Sequence, residues 1–438
     1  MKAKNRLGLI LFPAFDWAIS PRHPEREERL LYTQDQLMEE GIEDIDRIEF
    51  FNPLIATDQD IERVHLAYPD VEALVSESHR IAAGGVMQAF DLVLSNKAEK
   101  SFALVRPPGH HAQRVVYGDR GFCIINNEAV GLAYARQKYG DMRVAIVDTD
   151  CHHGDGTEDI YWNDPDTLVI SFHQDGRTLY PGTGPISDLG GPGAYGYNVN
   201  IPLPPGTGDE GFLYVLEHVV LPILEDYQPD LIINSAGQDN HYTDPLTNMN
   251  FSAQGYSVLN DRLNPDIAVL EGGYSIQGAL PYVNTGIIAA MAGLDYSGIW
   301  EPDYHLGKWK QTDRVGQDVR SIAEAVIEIW HKKEEIAQEL FRSQKKVTRQ
   351  RQVYYDTAGI MEHQTQEFYL CPSCPGLDVI RSKNDQGASL VGITVPRKAC
   401  PDCQTKAYEL FETEQRSRVK FVLLQDQKND RFQRATGR

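Results

Sequence analysis

Residues 148–159 read DTDCHHGDGTED, five acidic residues and two adjacent histidines in twelve positions, directly after the apolar run Val144-Ala145-Ile146-Val147. Like charges this close repel, and burying them is costly unless something compensates them. The segment is therefore either a solvated loop or a place where a cation sits among side chains. In an extended segment Asp150 and His152 alternate and point to one side. With a third ligand from another strand end they make the three-ligand set of a catalytic zinc, which keeps a position open for water. Asp239, closing IINSAGQD, is the natural third ligand. Taken singly, Asp150 reads as a helix N-cap and His152 as a packed histidine. The whole pattern D-x-D-x-H-H-G-D-G favours the metal.

A second tandem, His110 and His111 in RPPGHH, follows another apolar run. Alone, adjacent histidines are more often structural. Asp148 and Asp155, however, are left over from the metal set, and a carboxylate on imidazole Nδ1–H fixes the tautomer and raises the ring's basicity. Two His–Asp pairs facing one zinc form an acid/base device for hydrolysis. Glu158 and Asp159 read as acidic residues in the first turn of a following helix. Tyr274, in LEGGY, follows a glycine pair that can turn a phenol toward an oxyanion.

These motifs need a scaffold. Runs at 7–12, 102–109, 143–150, 167–174, 230–239 and 266–274 are apolar throughout and end in polar or glycine-rich turns, as strands buried on both faces do. Segments such as 124–139 and 210–227 carry helical spacing, and two long helical stretches follow near 314–346. The alternation predicts an α/β fold, a three-layer α/β/α sandwich around a parallel sheet. Ligands collect beyond the carboxyl ends of such strands, where RPPGHH, DTDCHH, SAGQD and LEGGY all fall. RSQKKVTRQRQ (342–352) has few apolar residues and reads as an exposed linker. The expected organisation is a catalytic domain over 1–340, a linker over 341–365 and a zinc-ribbon-like tail over 366–438.

Of the six cysteines, Cys123 and Cys151 lie in the body; Cys371, Cys374, Cys400 and Cys403 form CPSC and CPDC, 25 residues apart. Two such knuckles predict a closed structural zinc site over a redox pair. Without a secretory signal, disulfides are the weaker explanation. The basic start and apolar stretch of MKAKNRLGLILFPAFDW imitate a leader. The run is short, lacks a cleavage site and is interrupted by Asp16, so a cytoplasmic protein is expected. No apolar run approaches a membrane span. Net charge is −21; residues 331–438 carry 19 Lys+Arg and 14 Asp+Glu, leaving 23 and 49 in the body. So acidic a body repels nucleic acid. The ribbon leaves a nucleic-acid or protein partner open, although a solvated basic surface is the plainer reading of its charge.

HPEREERL (23–30), RPPGHHA (106–112), GFCIINNEAVG (121–131), VDTDCHHGDGT (147–157), SFHQ…YPGTG (171–184), SAGQDNHYTDPL (235–246) and LEGGY (270–274) resemble, in order, the motifs of histone deacetylases, with the bacterial and class II branches nearest. The resemblance covers roughly residues 7–300 and implies an arginase/deacetylase fold. It implies that Asp150, His152 and Asp239 bind Zn²⁺ or Fe²⁺. It makes His111, with Asp155, the general base and then acid, His110, with Asp148, an electrostatic partner, and Tyr274 the donor to the carbonyl oxygen. Phe122, Tyr180, Leu246 and Gly273 would line the substrate tunnel and Arg29 an acetate channel. Asp148, Asp150, His152, Ser171 and Phe172 would surround a K⁺ ion. His153, His173 and Cys151 read as supporting residues.

The implied reaction is zinc-dependent hydrolysis of acetyl-lysine in proteins. The alternatives are an acetylpolyamine or other small acylated amine as substrate, and a catalytically weak scaffold that recruits partners through the ribbon. Two departures bear on this choice. The stretch between VHLAYPDVEAL and SESHRIAAGG is shortened where relatives carry a substrate-gripping aspartate, and Asp70 is the candidate for that place. Leu246 stands where polyamine deacetylases can carry a glutamate, which favours acyl-lysine.

Overall fold

A computed structural model describes residues 1–12, 23–302 and 304–437; Asp16 lies outside them. Eight strands form one all-parallel sheet in the order Asp46–Phe51, Lys2–Leu11, Lys100–Leu104, Ile267–Leu270, Leu231–Ala236, Val144–Asp148, Thr167–Gln174 and Asn198–Leu203. Alternate side chains enter opposite layers. Ala145 and Val147 join the core beneath helices Glu28–Glu39, Ala253–Leu263, Leu280–Ala292 and Asp313–Phe341, while Val144 and Ile146 join the core beneath Glu77–Leu94 and Asn127–Tyr139. Coverage on both faces is why the strands are apolar throughout, and the three-layer sandwich follows.

The two edge strands, Asp46–Phe51 and Asn198–Leu203, are additions to the expected six. Their Asp, Arg and Glu, or Asn and Pro, residues break the apolar signature. The two helical stretches near 314–346 are one helix of 29 residues. Four adjacent central strands, Lys100–Leu104, Ile267–Leu270, Leu231–Ala236 and Val144–Asp148, deliver RPPGHH, LEGGY, SAGQD and DTDCHH to one rim.

The expected linker over 341–365 is corrected. Lys346–Tyr355 and Ile360–Tyr369 pair as a ten-residue antiparallel hairpin that begins a six-stranded sheet, continued by Leu377–Asn384, Ser389–Val395, Phe421–Asp426 and Arg431–Thr436. In KVTRQRQVYY the inward side chains are Val347, Arg349, Arg351, Val353 and Tyr355. The arginines conceal a period-2 strand because their partners are acids of the catalytic domain. Helix Pro401–Glu414 covers one face of this sheet through Ala407 and Phe411. The other face joins the catalytic domain in a cluster of Leu66, Val115, Tyr117, Val353, Tyr355, Ile360, Ile380 and Leu390.

Tyr117 is buried there, its hydroxyl 2.8 Å from Ser382 Oγ. Tyr117→Ala is expected to destabilise the chain by about 3 kcal/mol, as truncation of a buried aromatic does, read as a lower denaturation midpoint. An unchanged midpoint would mean that this cluster does not join the domains.

Candidate active site

The end of Val144–Asp148 turns so that Asp150, His152 and Asp239 meet, with one ligand atom from each within 4.8 Å of the others. His152 Nδ1 lies 2.8 Å from Asp239 Oδ2 and 3.2 Å from Asp150 Oδ1. Backbone donors hold the carboxylates: Gly272 N–H to Asp150 Oδ2 (2.7 Å) and Cys151 N–H to Asp239 Oδ1 (2.7 Å). Burial alone would lower the His152 pKa, but Asp239 and Asp150 outweigh it and push it up to about 10. An imidazole so strongly drawn to hold a proton marks a place where positive charge is required. Two carboxylates, one imidazole and near-complete burial suit a divalent cation.

Beside this set stand the two tandem histidines, ring centroids 4.1 Å apart. His110 Nδ1 is 3.0 Å from Asp148 Oδ2, and His111 Nδ1 is 2.8 Å from Asp155 Oδ1. Burial lowers both histidines. For His110, Asp150 and Asp148 overcome it and raise the pKa well above the ordinary value. For His111, burial and the neighbouring His110 charge prevail, and the pKa falls to about 3. His111 is therefore neutral, with Nδ1–H on Asp155 and Nε2 left as acceptor.

Asp155 is held further by Arg120, through Nη2 to Oδ2 at 2.8 Å, and by Gln113 Nε2 at 2.9 Å. Neither partner was anticipated. Arg120 stands next to the GFC motif, and only folding brings it to Asp155. Glu271 is another such residue, accepting the Gly109 and His110 N–H groups at 2.7 and 3.1 Å.

Tyr274 is buried, its backbone N–H on Asp244 Oδ2 (2.7 Å). Burial pushes its phenol well above the ordinary pKa, so it stays a proton donor. Phe122 meets Tyr274 edge-on at 5.4 Å, and Tyr180 meets His111 edge-on at 5.2 Å. Gly273 has φ +119°, and its carbonyl accepts from Arg29 Nε at 2.8 Å. Arg29 is fully buried, 3.2 Å from Glu25. Leu246 is exposed, its N–H on Asp244 Oδ1. Ser171 and Phe172 are buried on the neighbouring strand, Asp148 in register with Ser171.

Asp70 is not brought to this rim. Its carboxylate accepts the Ala73 N–H as the cap of helix Val71–Leu74. Glu158 and Asp159 do lie in helix Asp155–Tyr161, but they also bind the second sheet. Glu158 is 3.4 Å from Arg349, and Asp159 pairs with Arg351. The four tail cysteines converge as a second candidate metal group, Cys371 Sγ 3.8 Å from Cys400 Sγ and Cys374 Sγ 3.5 Å from Cys403 Sγ. These separations are far beyond an S–S bond, and the cluster fits a zinc ribbon's four-thiolate set. Two strands fill the interval between the knuckles.

A group of possible metal ligands beside a neutral histidine and a buried phenol has the chemistry needed to add water to a carbonyl, as metal-dependent amidohydrolases do. The histone deacetylase domain family matches residues 70–291. A probable deacetylase of Archaeoglobus fulgidus is 44% identical over 323 residues, 67% of this chain and 89% of that protein. A histone deacetylase-like amidohydrolase of Pseudomonas aeruginosa is 35% identical over 227 residues, 50% of this chain and 59% of that protein. The crystal structure of the HDA15 HD domain superposes with a TM-score of 0.65 at 29% identity, covering 76% of this chain and 99% of that one. The chain belongs to the histone deacetylase family and is a deacetylase, an enzyme that hydrolyses acetyl amides.

With two candidate groups, the intact chain is expected to hold two metal ions. Metal analysis should find one after Asp239→Asn and one after the double change Cys374→Ser, Cys403→Ser. A count unaffected by the cysteine changes would remove the four-thiolate site.

Proposed function

We propose that this enzyme removes acetyl groups from lysine side chains of proteins, using zinc held by Asp150, His152 and Asp239. The carrying observation is the pair of His–Asp contacts beside that set, His111 Nδ1 2.8 Å from Asp155 Oδ1 and His110 Nδ1 3.0 Å from Asp148 Oδ2. A bound zinc ion would polarise the amide carbonyl and acidify a water molecule. His111 Nε2 takes a proton from the attacking water, and its Asp155 pair steadies the imidazolium that results. Tyr274 donates its O–H to the oxygen on which negative charge develops. As the C–N bond breaks, His111 returns the proton to the leaving nitrogen, giving acetate and a free amine. His110, already charged, adds positive potential beside the reacting carbon without exchanging a proton.

Phe122 and Tyr180 suit an extended methylene chain between them, as an acyl-lysine presents. Leu246 supports the protein substrate over an acetylpolyamine, because an alkyl side chain offers no anchor for a remote ammonium. The second group of four cysteines supports a structural zinc, and the Asp148–Ser171 neighbourhood a K⁺ ion. Among the described residues no helix is long and apolar enough to cross a membrane, which accords with the proposed cytoplasmic setting. An inert scaffold would have no need of both His–Asp pairs.

His111→Ala and Tyr274→Phe are each expected to cut hydrolysis of an acetyl-lysine peptide at least about tenfold, with folding and metal content kept. Full turnover in either variant would refute that residue's role. A kcat/KM for acetylputrescine above that for the peptide would move the substrate to small amines.

A further inference from the structure

The turn of the C-terminal hairpin, residues 356–359, rests on the segment that carries one tunnel wall. Asp356 Oδ1 accepts the Gly121 N–H at 3.0 Å and the Tyr180 O–H at 3.4 Å. Thr357 Oγ1 donates to Asp119 Oδ1 at 3.2 Å, and the Ala358 methyl lies 3.5 Å from where a Cβ on Gly118 would stand. Gly121 and Phe122 both take the left-handed region, φ +53° and +68°. For phenylalanine that conformation is strained and persists only where its surroundings impose it. The bond from Gly121 N–H to Asp356 is one such restraint. The Phe122 ring that follows lies edge-on to both Tyr274 and His23.

Asp356 is itself exposed, both hydrogen bonds described for it go to Oδ1, and His23 feels its charge. A carboxylate thus stands beside the candidate site, bonded through Oδ1 to Tyr180 and to the residue before Phe122, while Asp70 is occupied as a helix cap. We propose that Asp356 is a specificity-determining residue supplied by the C-terminal sheet. Its Oδ1 braces the tunnel wall, and its Oδ2 receives a hydrogen-bond donor of the substrate next to the acyl-lysine. The donor is a flanking backbone N–H or a cationic side chain, both of which bind a carboxylate by a charge-assisted hydrogen bond. This inference rests on the acyl-lysine reading above.

The test uses the full-length, metal-loaded enzyme. Asp356→Asn keeps a side-chain oxygen for Gly121 N–H but removes the charge. The substrates are an acetyl-lysine peptide, the same peptide N-methylated at the flanking amides, the same peptide with a flanking arginine, and N-acetylbutylamine, which has no flanking groups. Asp356→Asn is expected to lower the peptide-to-butylamide ratio of kcat/KM about tenfold, as loss of a charged hydrogen bond does, mainly through peptide KM. In the unaltered enzyme, a penalty from N-methylation identifies the backbone N–H, and a gain from arginine identifies a cation. An unchanged ratio overturns the role of Asp356 and leaves the deacetylase reading standing. Turnover of the butylamide but of no peptide by the unaltered enzyme overturns the acyl-lysine reading, and this role with it. Should Asp356→Asn not fold, indifference of the unaltered enzyme to both N-methylation and arginine overturns the proposal equally.

Discussion

Everything at the rim depends on burying several carboxylates in one place. Asp148, Asp150, Asp239 and Glu271 are fully buried, and Asp155 nearly so, at or just beyond the ends of three adjacent strands. Unpaired buried charges are severely destabilising, so each must be answered locally. Asp148 has His110, Asp155 has His111 and Arg120, and Glu271 has two backbone N–H groups and a pKa raised to about 7 by its burial. Asp150 and Asp239 share His152 and backbone donors, with His110 Nε2 3.7 Å from Asp150 Oδ1, a donor set that suits a divalent cation. Two glycines make the arrangement possible. A Cβ on Gly237 would stand 2.1 Å from Asp150 Oδ2, and one on Gly272 2.5 Å from both Asp150 and Asp239 oxygens.

The same surplus of acid explains why the C-terminal sheet is attached where it is. Arg349 and Arg351 meet Glu158 and Asp159 at the interface. Arg351 also donates to Gln113, which donates to Asp155, so one chain of hydrogen bonds runs from the second sheet to the carboxylate behind His111. The opposite charges of body and tail, −26 and +5, are thus partly an interface divided between two stretches of sequence. The cysteine knuckles lie at the far end of strand Ile360–Tyr369 from the turn at Asp356. The candidate four-cysteine group thus lies at one end of the sheet, while the turn at the other bonds Gly121 and Tyr180.

The parts legible in the sequence were those governed by local pattern. Buried parallel strands are apolar throughout and the candidate site residues follow them directly, so the core of the sheet and the candidate metal group of DTDCHH and SAGQD are legible in the sequence. What escaped was governed by partners distant in the chain. Arg351 in a strand looks like linker chemistry until Asp159, almost 200 residues earlier, is placed opposite it. Arg120 gave no signal because nothing near it in sequence is acidic and catalytic. Asp70 sits beside the shortened stretch, but the local pull of an N-cap decides its orientation. Period-2 burial in KVTRQRQVYY was present, but it used arginine where a hydrophobic residue was expected.

The central claim is that a divalent cation answers the charge of Asp150, His152 and Asp239 and thereby enables hydrolysis. The direct measurement is parallel titration of zinc into chelator-stripped enzyme, following the unfolding midpoint and acetyl-lysine hydrolysis together. Both should rise in step as the site fills and fall again with chelator. Full hydrolysis by metal-free protein, or an unfolding midpoint indifferent to metal while activity returns, would contradict the account.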